Sequence, residues 1–352
     1  MLRSLFAVIG FLFVVGTIGV SATSVGAVMG FTYPALDFFN HLQPLLFGGT
    51  LFCLLFAFVF LPAGVWRAFA TAVAATGFLS SAVIVVPEAV SAFASRPALP
   101  TDGRPVYTLL THNLFGMNPQ PVRVAEAIEP EDPDIIAFQE YFPENRSLLH
   151  KYLEGKYPYF TVCEGGKRAN IAIYSKLAFE GERQGACNAG GKGRISRIVA
   201  KFEGRDGVPF TIVTTHLDWP AQVSKFDDGA NLAEGFDLVF ARQRDQFSDL
   251  GEALTKMPGP LALVGDLNST AWSYALRDFS DYAGFTRQTR SLLTYPTRYS
   301  IYGWRDTIPF LPLDHVMTRG GIVVHEVRGA DPAGSDHKAV VTRFSILEEP
   351  SL

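Results

Sequence analysis

Charged residues are almost absent from the first quarter of the chain, and this asymmetry limits what the whole chain can fold into. The first 95 of its 352 residues contain only four charged side chains, those of Arg3, Asp37, Arg67 and Glu88. Nearly all of the 30 basic and 34 acidic residues come later in the sequence. This distribution predicts a membrane part followed by a soluble part.

The first part contains three apolar segments, at about Leu5–Phe31, Leu42–Leu61 and Ala68–Val86. Each is close to the ~20 residues that a membrane-spanning helix requires. Helices are expected because backbone groups in lipid must satisfy their own hydrogen bonds. Arg3 and Arg67 flank alternate ends, which predicts that both lie in the cytoplasm and that the soluble part lies outside it. A cleaved signal peptide is the alternative for the first segment, since its "VSA" resembles a cleavage site.

The positions of the cysteines bear on whether the soluble part can form a disulfide. Cys53 lies inside the second apolar segment, whereas Cys163 and Cys187 lie in the soluble part. If the soluble part is outside the cytoplasm, a disulfide between these two residues is permitted. We therefore predict the bridge, with two free buried thiols as the alternative.

A stretch rich in proline and glycine, "SRPALPTDGRP" at 95–105, predicts a linker after the apolar part. We accordingly divide the chain into a membrane anchor (1–90), a linker (91–104) and a soluble domain (105–352). In that domain, short apolar strands outnumber helical patterns, and several strands follow one another directly. This excludes a simple series of alternating strands and helices, and it predicts two packed sheets with helices outside.

Polar side chains stand at one end of many of these predicted strands. A single residue of this kind is typical of a turn, but side chains at the same end of many strands converge on one site. The set comprises Asn113, Gln139, Glu140, His216, Asp266, Asn268, Asp314, His315, Asp336 and His337.

Oxygen donors dominate this set, and neither soluble-part cysteine lies near a cluster of cysteine and histidine. Oxygen-rich sites suit a hard cation, Mg²⁺ or Mn²⁺, rather than structural zinc. Such a cation beside an acid–base pair predicts hydrolysis of a phosphodiester or a phosphomonoester.

Seven short motifs carry a family resemblance: "LLTHNLF", "DIIAFQE", "NIAIYSK", "TTHLDW", "VGDLNS", "LDHV" and "GSDHKAV". In order and approximate spacing, residues 105–346 resemble the endonuclease/exonuclease/phosphatase superfamily. That family includes deoxyribonucleases, exonuclease III-like repair enzymes, neutral sphingomyelinases and inositol polyphosphate 5-phosphatases. The resemblance implies an α/β (α+β) fold, a four-layer αββα sandwich of two mixed sheets, and with the apolar helices the chain looks like membrane-anchored bacterial members.

The resemblance also implies metal ligands. Glu140 would be the main ligand, Asn113 would hold the ion or its water shell, and Asp336 would assist on the same side. The alternatives are an exposed carboxylate at a strand end for Glu140 and a turn residue for Asn113.

The catalytic roles follow by the same resemblance. Asp266 would orient or deprotonate the attacking water, and Asn268 would donate to a phosphate oxygen or to the transition state. His337 would face the scissile phosphate as a cation that stabilises charge or protonates the leaving group. Asp314 would fix the tautomer of His337 and raise its pKa. Independent surface turns are the alternative for Asp314, Asp336 and His337.

Two further residues are assigned to substrate binding. His216 resembles the family histidine that binds a phosphate oxygen, with a structural core histidine as the alternative. Asn170 would line the phosphate pocket or simply begin a strand. His112 and His315 are interpreted as structural, because adjacent strand residues face opposite sides.

The residues after the "GDLN" motif are interpreted as structural rather than catalytic. Ser269 and Thr270 are predicted to cap a helix that begins near Trp272, because hydroxyl side chains favour the first turn of helices.

We therefore expect a membrane-anchored, metal-dependent phosphohydrolase that acts outside the cytoplasm, with the bilayer and a phosphoester as its partners and no protein partner implied. The substrate is open between a lipid headgroup, a nucleic acid and a small phosphoester. With a net charge of −4, the chain lacks the strongly basic surface that is typical of a duplex-DNA binder. Local basic clusters nevertheless occur at 191–201 and 287–305.

Three alternatives stay open. The first is a nuclease specific for extracytoplasmic DNA or RNA, and the second is a non-catalytic binding module of the same fold. The third is a transporter or channel, which is disfavoured because the apolar segments contain almost no charge.

Overall fold

The computed structural model describes residues 2–164, 168–185, 187, 195–221, 232–298 and 307–347. The chain forms two compact units. The first comprises Met1–Phe93, Ala221–Ala241 and Thr270–Arg277, and the second comprises Ala94–Pro220, Arg242–Ser269 and Asp278–Leu352. The first unit contains the predicted anchor, and the second contains most of the predicted soluble domain.

The apolar segments form helices, as their composition predicts. These helices are α1 (Leu2–Val28), α2 (Pro34–Asp37), α3 (Gln43–Phe60) and α4 (Val65–Ala92). Three stretches are long and apolar enough to cross a membrane by length and composition, namely Ser4–Phe31, Pro34–Phe60 and Val65–Ala92.

Small residues bring α1 and α4 into close contact, as is common between membrane helices. A Cβ atom added to Gly77 would lie 2.7 Å from the Cα of Ser21, so only glycine fits there. The hydroxyl of Ser24 donates to the carbonyl of Gly77 over 2.6 Å and also lies 2.6 Å from the hydroxyl of Ser81.

Among the described residues, the remaining elements are four α-helices and a larger number of strands, several of which follow one another directly. The helices are α5 (Pro121–Ile128), α6 (Pro143–Leu153), α7 (Leu232–Leu254) and α8 (Tyr274–Ala283). The strands are β1 (Tyr107–Asn113), β2 (Ile135–Gln139), β3 (Tyr159–Cys163), β4 (Ile171–Ser175), β5 (Phe179–Gly185), β6 (Ser196–Glu203), β7 (Pro209–Thr215), β8 (Leu261–Asp266), β9 (Thr286–Arg287), β10 (Asp314–Arg319), β11 (Ile322–Gly329) and β12 (Val340–Ile346).

Within the described residues these strands build two six-stranded mixed sheets, in the orders β11-β12-β1-β2-β4-β3 and β5-β6-β7-β8-β10-β9. β1 runs parallel to β2 and antiparallel to β12, whereas β7 runs parallel to β8 and β8 antiparallel to β10. The carboxyl ends of β1 and β2 therefore meet the amino end of β12 in one sheet, and those of β7 and β8 meet the amino end of β10 in the other. This is the arrangement that gathers the predicted polar strand ends.

Alternating side chains divide the core into layers. Leu109 and Ile135 lie in the apolar cluster between the sheets, whereas Leu110 and Ile136 lie in the cluster beneath α5 and α6. Successive strand residues face opposite sides, so one continuous apolar run serves both layers. Burial of each such side chain stabilises the fold by about 1.5–3 kcal/mol. The result is the four-layer αββα sandwich that the family resemblance implies.

Some local details differ from the sequence-based expectations. The strands β3, β5 and β9 were not predicted from the sequence. Of these, β5 is largely exposed and lacks an apolar run. The prediction that Ser269 and Thr270 cap the next helix is wrong. α8 begins at Tyr274, and the backbone N–H of that residue donates to Asp37 over 2.8 Å.

Cys163, at the end of β3, forms a disulfide with Cys187, with the two sulfur atoms 2.05 Å apart. The bridge closes a loop of the second unit that contains Arg168 and Asn170. The backbone N–H of Asn170 also donates to the carbonyl of Cys163 over 2.8 Å, which draws the loop back to the strand.

Candidate active site

Asp266 lies at the centre of the strand ends. Its Oδ1 accepts the backbone N–H of Asn268 over 2.8 Å, and its Oδ2 accepts Nδ2 of Asn113 over 2.9 Å. The same Oδ2 lies 3.5 Å from Nε2 of His216 and 3.8 Å from Nε2 of His337. Side chains from both sheets therefore converge on one carboxylate.

The environment of Asp266 favours its neutral form more than water does. Burial raises the pKa of Asp266 to about 7, the charge of Asp314 adds to this effect, and the charge of His337 opposes it. A carboxyl group with a pKa near neutrality can exchange a proton with water at physiological pH, which is what general-base chemistry requires.

His337 and Asp314 form a buried pair beside Asp266. Nδ1 of His337 lies 2.8 Å from Oδ2 of Asp314. Burial works against a charged imidazole, but Asp314 and Asp266 outweigh it and raise the pKa of His337 to about 10. Burial likewise opposes the charge on Asp314, but His337 outweighs that effect and lowers the pKa of Asp314. The pair is thus a cation and an anion at neutral pH, and the ring of Tyr295 packs 4.8 Å from the imidazole.

Two more carboxylates stand at the rim of this cluster. Glu140 follows β2 with a left-handed backbone (φ 55°), and its Oε2 accepts the backbone N–H of Gly116 over 2.8 Å. Burial raises the pKa of Asp336, and the charge of Glu140 contributes to that rise. The Glu140 and Asp336 side chains are 25% and 20% exposed, so both reach solvent. Neighbouring, accessible carboxylates of this kind suit a hard divalent cation.

A second group of possible metal ligands is Asp266, Asp314 and His337, whose ligand atoms lie within 4.8 Å of one another. A histidine ligand must be a neutral imidazole. Since the two aspartates keep His337 protonated, this group suits an ion pair better than a metal. The chemistry of the donors therefore favours Glu140 and Asp336.

His216 and Asn268 lie inside the site, close to each other. Nδ2 of Asn268 lies 3.2 Å from Nε2 of His216 and donates to the carbonyl of Leu217 over 2.9 Å. Burial, followed by the charges of Arg168 and His337, holds the pKa of His216 well below its usual value. His216 is consequently a neutral imidazole in this setting.

Asn170 reaches the site through its backbone. Its carbonyl accepts the N–H of Tyr141 over 2.7 Å, which places it beside Glu140 at the end of β2. The backbone at Asn170 is left-handed, with φ 59°. All the residues assigned from the sequence therefore lie at the same edge of the sandwich.

Sequence reasoning missed Arg168 and Asp218. Nε of Arg168 lies 2.9 Å from Oδ1 of Asp218, and its Nη1 lies 3.4 Å from Nε2 of His216 and 4.0 Å from Oε1 of Glu140. Asp218, which is 1% exposed, also pairs with Arg242. Asp218 belongs to the "TTHLDW" motif and could have been noticed there, whereas no local pattern marks Arg168.

The two histidines interpreted as structural bind backbone carbonyls of the site. Nε2 of His112 lies 3.3 Å from the carbonyl of His337, and Nε2 of His315 lies 2.7 Å from that of Ser269. Burial lowers the pKa of both imidazoles to about 4. As neutral groups they support the loops that carry the site.

Comparison with solved structures finds several chains to which this chain is similar. An endonuclease/exonuclease/phosphatase from Beutenbergia cavernae is 18% identical, with a TM-score of 0.50, over 69% of this chain and 72% of the other. Sphingomyelinase C from Streptomyces griseocarneus is 20% identical, with a TM-score of 0.47, over 68% of this chain and 99% of the other. The catalytic domain of human Nocturnin with a bound sulfate anion is 20% identical, with a TM-score of 0.46, over 70% and 97%.

The comparison with curated proteins found no match. Residues 110–337 match the family model described as Endonuclease/Exonuclease/phosphatase family. This range is more than half of the chain, and it holds every site residue described above. The protein therefore belongs to the Endonuclease/Exonuclease/phosphatase family, a family of phosphoester hydrolases.

Proposed function

We propose that the protein is a membrane-anchored, divalent-metal-dependent phosphohydrolase that cleaves a phosphoester by attack of water. The observation that carries the proposal is the convergence on Asp266 of a cationic histidine and, beyond it, two accessible carboxylates. Metal-assisted hydrolysis of a phosphoester can use a base, a cationic side chain and anionic ligands for the metal. Asp266, the histidine and the two carboxylates correspond to these three components.

Asp266 aims the attacking water in this mechanism and takes a proton from it. Its Oδ1 is held by the backbone N–H of Asn268 and its Oδ2 by Asn113, so the carboxylate has a fixed direction. A carboxylate held in this way loses little freedom when the reaction begins.

His337 faces the same space as a cation and stabilises the negative charge that develops on the phosphoryl group. Asp314 keeps the imidazole protonated and fixes its orientation through the 2.8 Å contact with Nδ1. Nε2 carries the second proton of the imidazolium. It lies 3.8 Å from Oδ2 of Asp266, on the side where the substrate would bind.

Glu140 and Asp336 would hold Mg²⁺ or Mn²⁺, with Asn113 beside them. When bound, such a cation polarises a phosphoryl oxygen and offsets its negative charge. Oδ1 of Asn113 already accepts the N–H of Phe115 over 3.0 Å, but an amide oxygen has a second lone pair for the ion or its water. The ion would also relieve the repulsion between Glu140 and Asp336.

Arg168, His216 and Asn170 supply the remaining wall of the phosphate pocket in this proposal. Arg168 offers a charged donor beside Glu140, and planar guanidinium groups suit phosphoryl oxygens. Asn268 contacts both His216 and Asp266, and its amide would donate to the transition state if it turned from Leu217.

Three apolar stretches and the disulfide support the proposed location. We propose that α1, α3 and α4 anchor the chain in the cytoplasmic membrane, with the second unit outside the cytoplasm, where disulfides persist. The anchor would keep the site near lipids, which favours a lipid-linked phosphoester over soluble nucleic acid. An Asp102→Cys variant should react with a membrane-impermeant maleimide in intact cells, and protection until the cells are lysed would contradict this topology.

The decisive experiment is an assay of the purified full-length chain with Mg²⁺ against DNA, RNA, phospholipid vesicles and sugar phosphates. Wild type should hydrolyse at least one class, and Asp266→Ala should be inactive on it. The matched control is Asp102→Ala, which removes an exposed carboxylate of the linker. If wild type and Asp266→Ala were equally inert on every class, and calorimetry detected no Mg²⁺ binding, the non-catalytic binding module would replace this proposal.

A further inference from the structure

The segment between α1 and α3 contains a buried carboxylate. We call residues 29–42, which connect α1 to α3, the connector. Asp37 in the connector is only 5% exposed. Its Oδ2 accepts the hydroxyl of Ser273 over 2.9 Å and the N–H of Ala275 over 3.1 Å, while its Oδ1 accepts the N–H of Tyr274 over 2.8 Å.

These three donors belong to the start of α8. The first backbone N–H groups of a helix have no partner within the helix, and a side chain just before the helix usually accepts them. Here the acceptor comes from a residue 237 positions earlier in the sequence. A negative charge at this end of a helix is also favoured by the helix dipole.

The connector holds Asp37 firmly in place. Nδ2 of Asn40 donates to Oδ1 of Asp37 over 2.8 Å and to the carbonyl of Ala27 over 2.9 Å, and Nε2 of Gln43 donates to Oδ1 of Asn40 over 2.7 Å. A Cβ atom added to Gly30 would lie 2.6 Å from the Cα of Asp37. Asn40 therefore holds the carboxylate, and Gly30 packs closely against the backbone of Asp37.

A second connector residue reaches the same stretch of chain. Nδ1 of His41 accepts the backbone N–H of Thr270 over 3.2 Å and lies 3.1 Å from its hydroxyl. The ring of Phe31 also packs 6.1 Å from that of Tyr274. Residues 270–275 are thus bound to the connector at both ends, and all of these contacts lie within the first unit.

Residue 270 is joined directly to the loop that carries Asp266 and Asn268. We propose that Asp37 and His41 are positioning residues of the phosphohydrolase: by fixing residues 270–275 they hold the catalytic loop in its productive geometry. The inference rests on the proposed function for its kinetic consequence. It assigns the connector a part in catalysis in addition to its place in the anchor.

The test uses the full-length chain in detergent micelles with Mg²⁺ and bis(4-nitrophenyl) phosphate as the probe. Asp37→Ala should lower kcat by about 10–100-fold, because small misplacements of catalytic groups have effects of this size. KM should change much less, since Asp37 is not assigned a contact with substrate. Asp37→Asn keeps one acceptor oxygen and should restore part of kcat, and Asp102→Ala should match wild type.

Hydrogen–deuterium exchange gives a measure that does not depend on activity. The amides of residues 267–276 should exchange faster in Asp37→Ala and in His41→Ala, while those of β1 and β7 should not change. If Asp37→Ala does not fold, His41→Ala provides the same comparison, because it removes another contact between the connector and residues 270–275.

The outcomes separate the two proposals. Unchanged kcat together with unchanged exchange in residues 267–276 would overturn the positioning role. Faster exchange in this segment with no loss of kcat would overturn it as well. A wild-type chain that is inert on every phosphoester would remove the proposed function, and unchanged exchange in the variants would then separately remove the structural link.

Discussion

The imidazole of His337 and the carboxylate of Asp314 form a buried ion pair, with Nδ1 and Oδ2 2.8 Å apart. Asp314 is the first residue of β10, and His337 stands just before β12 in the other sheet. The pair therefore joins the two sheets at the edge where the site lies. It also determines the charge that the site presents to an anionic substrate.

The first prediction concerns the alkaline side of the pH profile. The active form has a protonated His337, so activity should fall as pH rises through the pKa of His337, about 10. Asp314→Asn removes the strongest of the charges that raise this pKa, so the fall should occur at lower pH. The measurement is kcat/KM against pH, with Asp102→Asn as the control. If kcat/KM fell at the same alkaline pH in Asp314→Asn as in wild type, the ion pair would not determine that pH.

The second prediction concerns the acidic side. Asp266 must be ionised to act as a base, so activity should rise with pH through about 7, the pKa to which burial raises this group. A higher Mg²⁺ concentration should shift this rise in activity to lower pH, because a nearby cation favours the ionised form of the carboxyl group. Asp266→Asn keeps the shape of the side chain but cannot accept the proton, so kcat should drop by about 10²–10⁴-fold. A pH profile that is flat from 5 to 8 would argue against this role.

The third prediction concerns Arg168, which lies 2.9 Å from Asp218 and 4.0 Å from Glu140. Loss of a charged donor to phosphate weakens binding by about 1.5–3 kcal/mol, so Arg168→Ala should lower kcat/KM by about 10–100-fold. Arg168→Lys should restore little, because an ammonium cannot reproduce the planar fork. Arg104→Ala, a change in an exposed ion pair, serves as the control. Full activity of Arg168→Lys would mean that charge alone matters.

The fourth prediction concerns the disulfide. Removing it by Cys163→Ser and Cys187→Ser together should lower the free energy of unfolding by about 2–4 kcal/mol. Activity should also fall, because the bridged loop carries Arg168 and Asn170. Calorimetry and steady-state kinetics give the two readouts. A reductant should have the same effect on wild type and no further effect on the double variant.

The fifth prediction concerns Gly265, next to Asp266 in β8. Its φ is 137°, and an added Cβ would lie 2.2 Å from the carbonyl oxygen of Thr215 in β7. Gly265→Ala must therefore push two paired strands apart, at a cost of about 3 kcal/mol or more. Gly259→Ala, where φ is also positive but no atom lies within 4 Å, should cost only about 1 kcal/mol. Equal melting temperatures for the two variants would contradict this account.

The sequence was sufficient to predict two packed sheets with helices outside, and it marked most of the strand-end residues that the structure brings together. Strand ends such as Glu140 and Asp266 could be found because an apolar run that stops at a polar residue is a local signal. The apolar spans were predicted for the same reason, since their length and composition are properties of neighbouring residues. The strand β5 was missed because it is mostly exposed and has no such signal.

The pairing of side chains could not be obtained in this way. Arg168 lies in the disulfide-closed loop, and it contacts Asp218 and His216, which lie 50 and 48 positions later in the sequence. Tyr295 reaches His337 from a loop that had no predicted structure. The helix cap was wrongly assigned to Ser269 and Thr270 because sequence rules consider only the residues next to the helix.

The sequence by itself determined where the chain is apolar, where strands end and which chemical groups stand at those ends. These are local properties, and they follow from the periodicity and composition of a few residues. Only the tertiary structure decided that Asp37 caps a helix 237 positions away and that Asp266 and His337 share one buried space. Contacts of this kind depend on how distant segments pack, and burial then sets the pKa values that give the site its chemistry.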